Sequence, residues 1–485
     1  MGGIVAAFSQ RGDDVVPLVA RMLKVIDHRN GEGCLLYSKK ESLVAKSPDD
    51  LNPQGMRSNM CIGHNLSRST NLILPEQIPF EGESSSVFEG KIYSRPKGDE
   101  PEVVRRALPG PRDLQAFVQR CDGDYVLATM GKDEFAIYRD PVGYVPLYSA
   151  EDQRILALAS EKKSLWAIGL RDVSSFPPGH MLKASENKKE LKCIRAITQS
   201  QRSNCGPYDT VKKLTDLIEE AVNKRAGKVG ELALAFSGGL DSGILSKILK
   251  KKEIPVHLIC VGLNDSVELS HAKAIASDLD LPINIRVLER DEIEDAVPSI
   301  IWHLEDADPL KVCLGTAFYF VAQEASKMGK NLLMSGQGCD ELFGGYFRHL
   351  KTFKEEGGEA LRDRLLSDVK NAHEASYEPS SHGCAAFGVE HTAPYADLTL
   401  INYALGIPAE LIFGNDGVSR KAILREVAKQ LGLPESVCDR PKKAFQYGSR
   451  VDKVLRMIAL TEGLGLREYR SRRFADAFAH DGHQC

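Results

Sequence analysis

The sequence predicts a two-part chain: an α+β first part made mainly of short strands, then an α/β second part built on a parallel sheet. Three observations predict it. Residues 1 to about 200 hold strand-length apolar runs separated by turn residues. From about residue 211 such runs alternate with helical periodicity, the pattern of strands joined through right-handed helical crossovers. The third is the stretch Leu232–Ser242, LALAFSGGLDS. There an apolar run stops at Ser237, turns through Gly238 and Gly239, and restarts at Asp241 with Ile244, Leu245, Ile248 and Leu249 at helical spacing. A length of 485 residues is enough for two or three domains with large cores.

In chain order, the strand signals of the first part are Gly3–Phe8, Cys61–His64, Val87–Tyr93, Asp124–Met130, Glu134–Arg139 and Ile155–Ser160. Leu18–Ile26 and Leu114–Gln119 read as helices. Polar residues Gln199–Asp209 form the expected linker, and Val211, Leu214, Leu217, Ile218 and Val222 then recur at helical spacing. Pro255–Leu263 and Pro282–Leu288 are the next strands. Asp265 with Glu268 makes a capping-box start for a helix over His271–Asp278. Asn331–Ser335 is a further strand, followed by a second glycine-rich turn.

Composition narrows the function class. With 42% hydrophobic and 27% charged residues the chain reads as an ordinary soluble globular protein. A net charge of −4 gives no reason to expect a nucleic-acid or membrane partner. No apolar run reaches 18 residues, and MGGIVAAFSQ lacks the basic and apolar regions of a signal peptide. Gly2 meets Ala6 where a myristoylation motif has Ser or Thr. Eleven cysteines with no C-x-x-C pair point to a reduced, cytoplasmic chain without a zinc knuckle or disulfide framework. His480, His483 and Cys485 read as a frayed end rather than a metal site.

The loop carries the chemistry. Successive N–H groups in a glycine turn converge on one point, and the next helix adds the positive end of its dipole, so the loop suits phosphate. Ser237 and Ser242 can donate hydroxyls to the same anion. Asp241 would repel a bare phosphate, so its presence calls for a bridging divalent cation, Mg²⁺ on pyrophosphate. No Walker A pattern occurs around it. A ligand-free turn is the plain alternative for a lone Gly-Gly pair, but the whole hexamer SGGLDS resembles the pyrophosphate loop of the ATP pyrophosphatases, which cleave ATP to AMP while activating a carboxylate or carbonyl.

Further motifs resemble those of the asparagine synthetase family across about residues 1–455. In the first part these are Asp140-Pro141-Val142-Gly143-Tyr144-Val145-Pro146-Leu147-Tyr148, Ser160-Glu161-Lys162-Lys163-Ser164-Leu165 and Pro177-Pro178-Gly179-His180. In the second they are Ser335-Gly336-Gln337-Gly338-Cys339-Asp340-Glu341-Leu342-Phe343-Gly344-Gly345-Tyr346, the run Gly388–Asp397, and Arg440-Pro441-Lys442. The resemblance implies an N-terminal-nucleophile (Ntn-type) αββα sandwich over 1–200 and a HUP-like ATP-pyrophosphatase domain over 201–470, with a tail over 471–485. It is closest to archaeal asparagine synthetase-like and eukaryotic asparagine synthetase domain-containing proteins.

The roles that the resemblance implies are specific. Ser237, Gly238, Gly239, Leu240, Asp241, Ser242, Ser335 and Gly336 would bind ATP and pyrophosphate, with Val261 against the adenine. Asp241 and Asp340 would hold Mg²⁺. Lys442 would stabilise the transition state. Gln337 stands where the family usually has an acid proposed to accept a proton from ammonia, and where β-lactam synthetases have Tyr; glutamine cannot act as a base. Thr392 replaces an arginine. In the first domain the glutaminase positions have degenerated. Gly2 replaces the cysteine nucleophile, Asn65 the arginine of G-H-R, and Glu89-Gly90 the Asn-Gly oxyanion pair, whose carboxylate would oppose developing negative charge. Glu100 stands for the substrate-holding aspartate. The expected reaction is therefore adenylation of aspartate and amidation by ammonia, with glutamine a poor donor. The alternatives are an adenylate-forming ligase acting on another carboxylate, as in β-lactam synthetases, and a non-catalytic ATP binder. The cofactors implied are ATP and Mg²⁺, the partners are small molecules, and a homodimer is allowed.

Overall fold

The computed structural model describes residues 2–29, 31–66, 84–94, 110–202, 206–226, 230–264, 266–414, 417, 419–440 and 451–479. The chain divides into two compact units, Met1–Ala196 and Ile197–Cys485.

In the first unit all strand pairings among the described residues are antiparallel. One sheet contains β1 (Gly3–Phe8), β2 (Cys34–Ser38), β3 (Ser42–Ala45), β4 (Met60–Asn65), β8 (Tyr148–Glu151), β9 (Leu156–Ala159) and β10 (Ser174–Ser175), in the order β10-β8-β9-β1-β4-β2-β3. The other holds β5 (Ser84–Ser94), β6 (Asp122–Gly131), β7 (Glu134–Arg139), β11 (His180–Ser185) and β12 (Lys188–Cys193), in the order β12-β11-β7-β6-β5. The period-two geometry of a strand explains how they stack. Ile4, Ala6 and Phe8 of β1 pack against Val126, Ala128 and Ile137 of the second sheet. Val5 and Ala7 point the other way, onto Val16, Val19 and Leu23 of the helix Val16–Val25 and Leu165 of the helix Lys162–Ala167. On the far side Leu114 and Val118 of the helix Leu114–Arg120 pack on Tyr125, Leu127 and Tyr138. The result is helix, sheet, sheet, helix, as the resemblance implies. Both faces of β1 are covered, which is why GIVAAF reads as an unbroken apolar run.

The framework motif around Glu161 also has a physical role. Arg29, Lys163 and His28 all meet its buried carboxylate. Although burial raises its pKa, the Arg29 and Lys163 cations and the His28 ring hold it well below the ordinary carboxylate range.

The second unit is built on one parallel sheet of β13 (Leu232–Ala235), β14 (Val256–Leu263), β15 (Ile283–Leu288), β16 (Leu332–Met334) and β17 (Glu390–Thr392). Its order is β15-β14-β13-β16-β17. The chain winds outward from β13 through β14 to β15, then returns to the other side of β13. The direction of winding therefore reverses between β13 and β16. At such a switch point the connections leave the strand ends in opposite directions and open a crevice, where parallel α/β sheets bind ligands.

Two local readings change. The helix expected from His271 begins at Val267, capped by Ser266, whose Oγ accepts from the Glu268 N–H at 3.2 Å. Asp265, the expected cap, lies outside the described residues. Val267 is 62% exposed, so the helix starts on a residue outside its buried apolar face, which opens with Leu269. The helix Leu466–Ala479 runs through residue 471, with Tyr469 and Arg470 buried. His480, His483 and Cys485 lie outside the described residues.

Candidate active site

Two loops leave the sheet at the switch point. The first follows β13 and enters the helix Leu240–Lys251 through Gly239, with no side chain capping that helix start. Its N-terminal amides therefore keep their capacity for an anion. Gly238 has φ +67°, and a Cβ there would lie 2.8 Å from His271 and 3.1 Å from the Ala272 Cα, so the close backbone approach requires glycine. The loop is braced from within and without. Ser237 Oγ accepts from the Gly239 N–H at 3.3 Å, and Ser242 Oγ accepts from the Ser237 N–H at 3.4 Å. Arg440 donates to the Ser237 carbonyl at 3.1 Å and pairs with Glu268.

The second loop follows β16. Ser335 is buried and lies 2.8 Å from His391 Nε2 across the β16–β17 edge. A Cβ on Gly336 would be 3.0 Å from the Asp241 Cβ, so the two loops touch there. Gln337 accepts from Ser376 Oγ at 3.2 Å, and the same hydroxyl lies 3.2 Å from Glu341, which also accepts from Tyr346 at 2.8 Å. Leu240 and Ser242 are buried in the first turn of their helix. Val261 is packed in the core beneath, among Leu288, Ile293 and Val297, so its side chain faces protein.

Asp241 and Asp340 come together across the two loops, as the motifs predict, but they do so on a residue that the motifs do not contain. Lys421 Nζ lies 2.6 Å from Oδ1 of each acid. Cys339 donates its S–H to Asp241 Oδ1 at 3.2 Å, and Tyr395 donates to the Asp241 carbonyl at 3.1 Å. Burial alone would lower the lysine pKa; the two carboxylates instead hold it well above the ordinary range. Burial and Asp241 push the Cys339 thiol well up, so it stays protonated. Lys421 is a residue that sequence reasoning missed, and Cys339, Tyr395, His391 and Arg440 lie in motifs that it named without giving them a role. One signal was present for the lysine: Arg420-Lys421 stands at the start of the helix Ala422–Gln430, where positive charge opposes the helix dipole.

Among the described residues no three His, Cys, Asp or Glu side chains form a metal cage. Two convergent carboxylates are nevertheless the donor set that suits Mg²⁺, which takes one or two protein carboxylates and completes its shell with phosphate and water. Lys442 lies outside the described residues.

His391 makes a testable contribution to stability. Burial takes its imidazole down to about 3. An unfolded histidine titrates near 6.5, so between these values the unfolded chain binds a proton that the folded chain does not. Stability should therefore fall as pH drops through that window, by up to about 1.4 kcal/mol per pH unit from this group. Urea midpoints between pH 4.5 and 7 should show a flatter dependence in His391→Gln than in the native chain; equal slopes would exclude the effect.

In the first unit the predicted glutaminase positions meet in an arrangement that leaves no room for a nucleophile. The Gly2 N–H donates to Glu89 Oε1 at 2.8 Å, and Glu89 Oε2 lies 3.2 Å from His64 Nε2, all buried. A Cβ on Gly2 would stand 2.3 Å from Glu89 Oε2 and 2.3 Å from the Asn65 carbonyl. Asn65 donates to the Ile26 carbonyl at 2.9 Å, tying helix to sheet. Gly90 keeps φ +109°, and a Cβ there would lie 2.1 Å from the Asp124 carbonyl. Glu100 lies outside the described residues.

A family model described as asparagine synthase matches residues 213–359 and 353–478, and one described as a glutamine amidotransferase domain matches 84–167. A Methanocaldococcus jannaschii protein named for glutamine-hydrolysing asparagine synthetase is 27% identical over 94% of this chain and 94% of its own length. Escherichia coli asparagine synthetase B, also named glutamine-hydrolysing, is 28% identical over 74% of this chain and 66% of its own length. A Schizosaccharomyces pombe protein, again named for glutamine-hydrolysing asparagine synthetase, is 27% identical over 67% of this chain and 62% of its own length.

Proposed function

This chain belongs to the asparagine synthase family, and from that premise we propose that it is an AMP-forming carbon–nitrogen ligase that adenylates the side-chain carboxylate of aspartate and converts it to asparagine with free ammonia. The observation that carries the reading is the meeting of Asp241 and Asp340 at the switch point, beside an uncapped helix N-terminus. The loop amides with Ser237 and Ser242 would receive pyrophosphate as it leaves the α-phosphate of ATP. Asp241 and Asp340 would hold Mg²⁺, which when bound neutralises charge on the leaving pyrophosphate. Lys442, by resemblance, would offset charge on the reacting phosphate and acyl centre. Gln337 can orient the acceptor through its amide but cannot take its proton, so a proton from attacking ammonia must pass to solvent or to the released phosphates.

The choice of ammonia rests on the first unit. The relatives are named as glutamine-hydrolysing, a chemistry that in this fold needs a thiol on the second residue. Here that position is glycine, and Glu89 fills the space a thiol would need. Lost nucleophile and occupied site together support an external nitrogen donor.

The test is Mg²⁺-dependent pyrophosphate release from ATP with aspartate, comparing ammonia with glutamine and the native chain with Lys442→Ala. Release that needs aspartate and ammonia, with glutamine giving little and the variant none, is the expected result. Glutamine serving as well as ammonia would overturn the donor assignment. Gln337 and Thr392 favour a second reading, in which the same adenylation acts on another carboxylate. In that case pyrophosphate release would be absent with aspartate and appear in a screen of other carboxylic acids.

A further inference from the structure

The ammonium of Lys421 stands where a cation bridging Asp241 and Asp340 would stand. Its side chain is 2% exposed, with Nζ 2.6 Å from one oxygen of each acid and 3.5 Å from Cys339 Sγ. The position is built rather than incidental. Lys421 has φ +57°, a left-handed backbone that a residue with a Cβ keeps only where its surroundings impose it. Arg420 donates to the Gly345 carbonyl at 2.9 Å, and Arg425 to the Arg420 carbonyl at 3.2 Å, fixing the chain on both sides. Gly345 completes the cradle. A Cβ there would lie 1.8 Å from Asp340 Oδ1 and 2.6 Å from the Lys421 Cε, so a side chain is excluded in favour of the lysine and the acid.

We propose that Lys421 is an internal cation that keeps free divalent ions off Asp241 and Asp340, and that only a cation arriving with a polyphosphate displaces it. This rests on the reading that these two acids hold Mg²⁺ with pyrophosphate. A divalent ion placed between the same two oxygens would sit against the ammonium, and like charges in a water-poor site repel strongly. Moving the lysine aside without a new partner leaves a buried charge unpaired, which is costly. A polyphosphate removes that cost, because its oxygens can accept the displaced ammonium. Metal and polyphosphate then load as one unit, and the nucleotide-free protein is blind to the free cation.

The probe is Mn²⁺, followed by electron paramagnetic resonance on the full chain. Without phosphate, Lys421→Met should bind Mn²⁺ at least about tenfold more tightly than the native protein. With excess inorganic pyrophosphate the order should reverse, since the variant has no ammonium to offer it. Thermal unfolding of the native chain gives a reading that needs no variant: Mn²⁺ alone should leave the midpoint unchanged, and Mn²⁺ with pyrophosphate should raise it. Equal affinity of native protein and variant for free Mn²⁺ would overturn the inference, as would full stabilisation of the native chain by Mn²⁺ alone. Absence of Mn²⁺ binding in both proteins, with or without pyrophosphate, would overturn the metal-holding reading and this inference with it.

Discussion

Asp340→Asn is expected to slow aspartate-dependent pyrophosphate release by about 10²- to 10³-fold, the usual scale for losing one preorganised electrostatic group at a reacting centre. Asparagine is nearly isosteric with aspartate, so it fits the cradle from which Gly345 is barred from projecting a Cβ. Its amide oxygen can still accept from Lys421, which also retains Asp241 at 2.6 Å. The fold should therefore survive, with a melting temperature close to native. What is lost is one of the two negative charges on which a divalent cation would rest. Asp241→Asn should behave alike, and the double variant should be little slower than either, because two ligands of one cation act as a unit. Turnover within about threefold of native in a folded Asp340→Asn protein would remove this acid from the mechanism.

The second large effect concerns the first unit. Restoring a cysteine by Gly2→Cys should not restore glutamine hydrolysis, and should destabilise that unit by about 1–3 kcal/mol through overpacking. The new Cβ would lie 2.3 Å from a Glu89 oxygen and 2.3 Å from the Asn65 carbonyl. One obstacle is a side chain and can be cut away; the other is backbone of β4, paired to β1 through Gly3 and Asn65. Adding Glu89→Asn should recover part of the stability while leaving hydrolysis undetectable. Glutamate release from glutamine by purified Gly2→Cys, measured against the native chain, is the check. Turnover in the single variant would mean that β4 yields easily and that only the thiol was missing.

Much of the fold was legible because its signals are local. Each loop of the synthetase site is a contiguous run at the end of an apolar strand, so strand, glycine turn and helix start can be read within a dozen residues. The same holds for β1, whose unbroken apolar run reports a strand covered on both faces. Other elements left no such mark. The strand Lys188–Cys193 is exposed along its whole length, so no alternation betrays it; it pairs through its backbone at a sheet edge. The helix Pro309–Lys327 is buried along most of its length, so it shows little of the polar face by which periodicity finds a helix.

The sequence by itself determined the strand-loop-helix units, the two acids in their glycine turns, and the glycine at the place of a nucleophile, because each is a property of neighbouring residues. Only the tertiary structure decided the partners of the buried charges. Lys421 meets Asp241 across 180 residues of chain, and Glu89 meets the Gly2 amide across 87. The first pairing needs the strand order that sets the loops after β13 and β16 side by side, and the second needs the stacking of the sheet of β1 on the sheet of β5. A buried charge must then pair with whatever ion the fold sets beside it, and no local pattern records that choice.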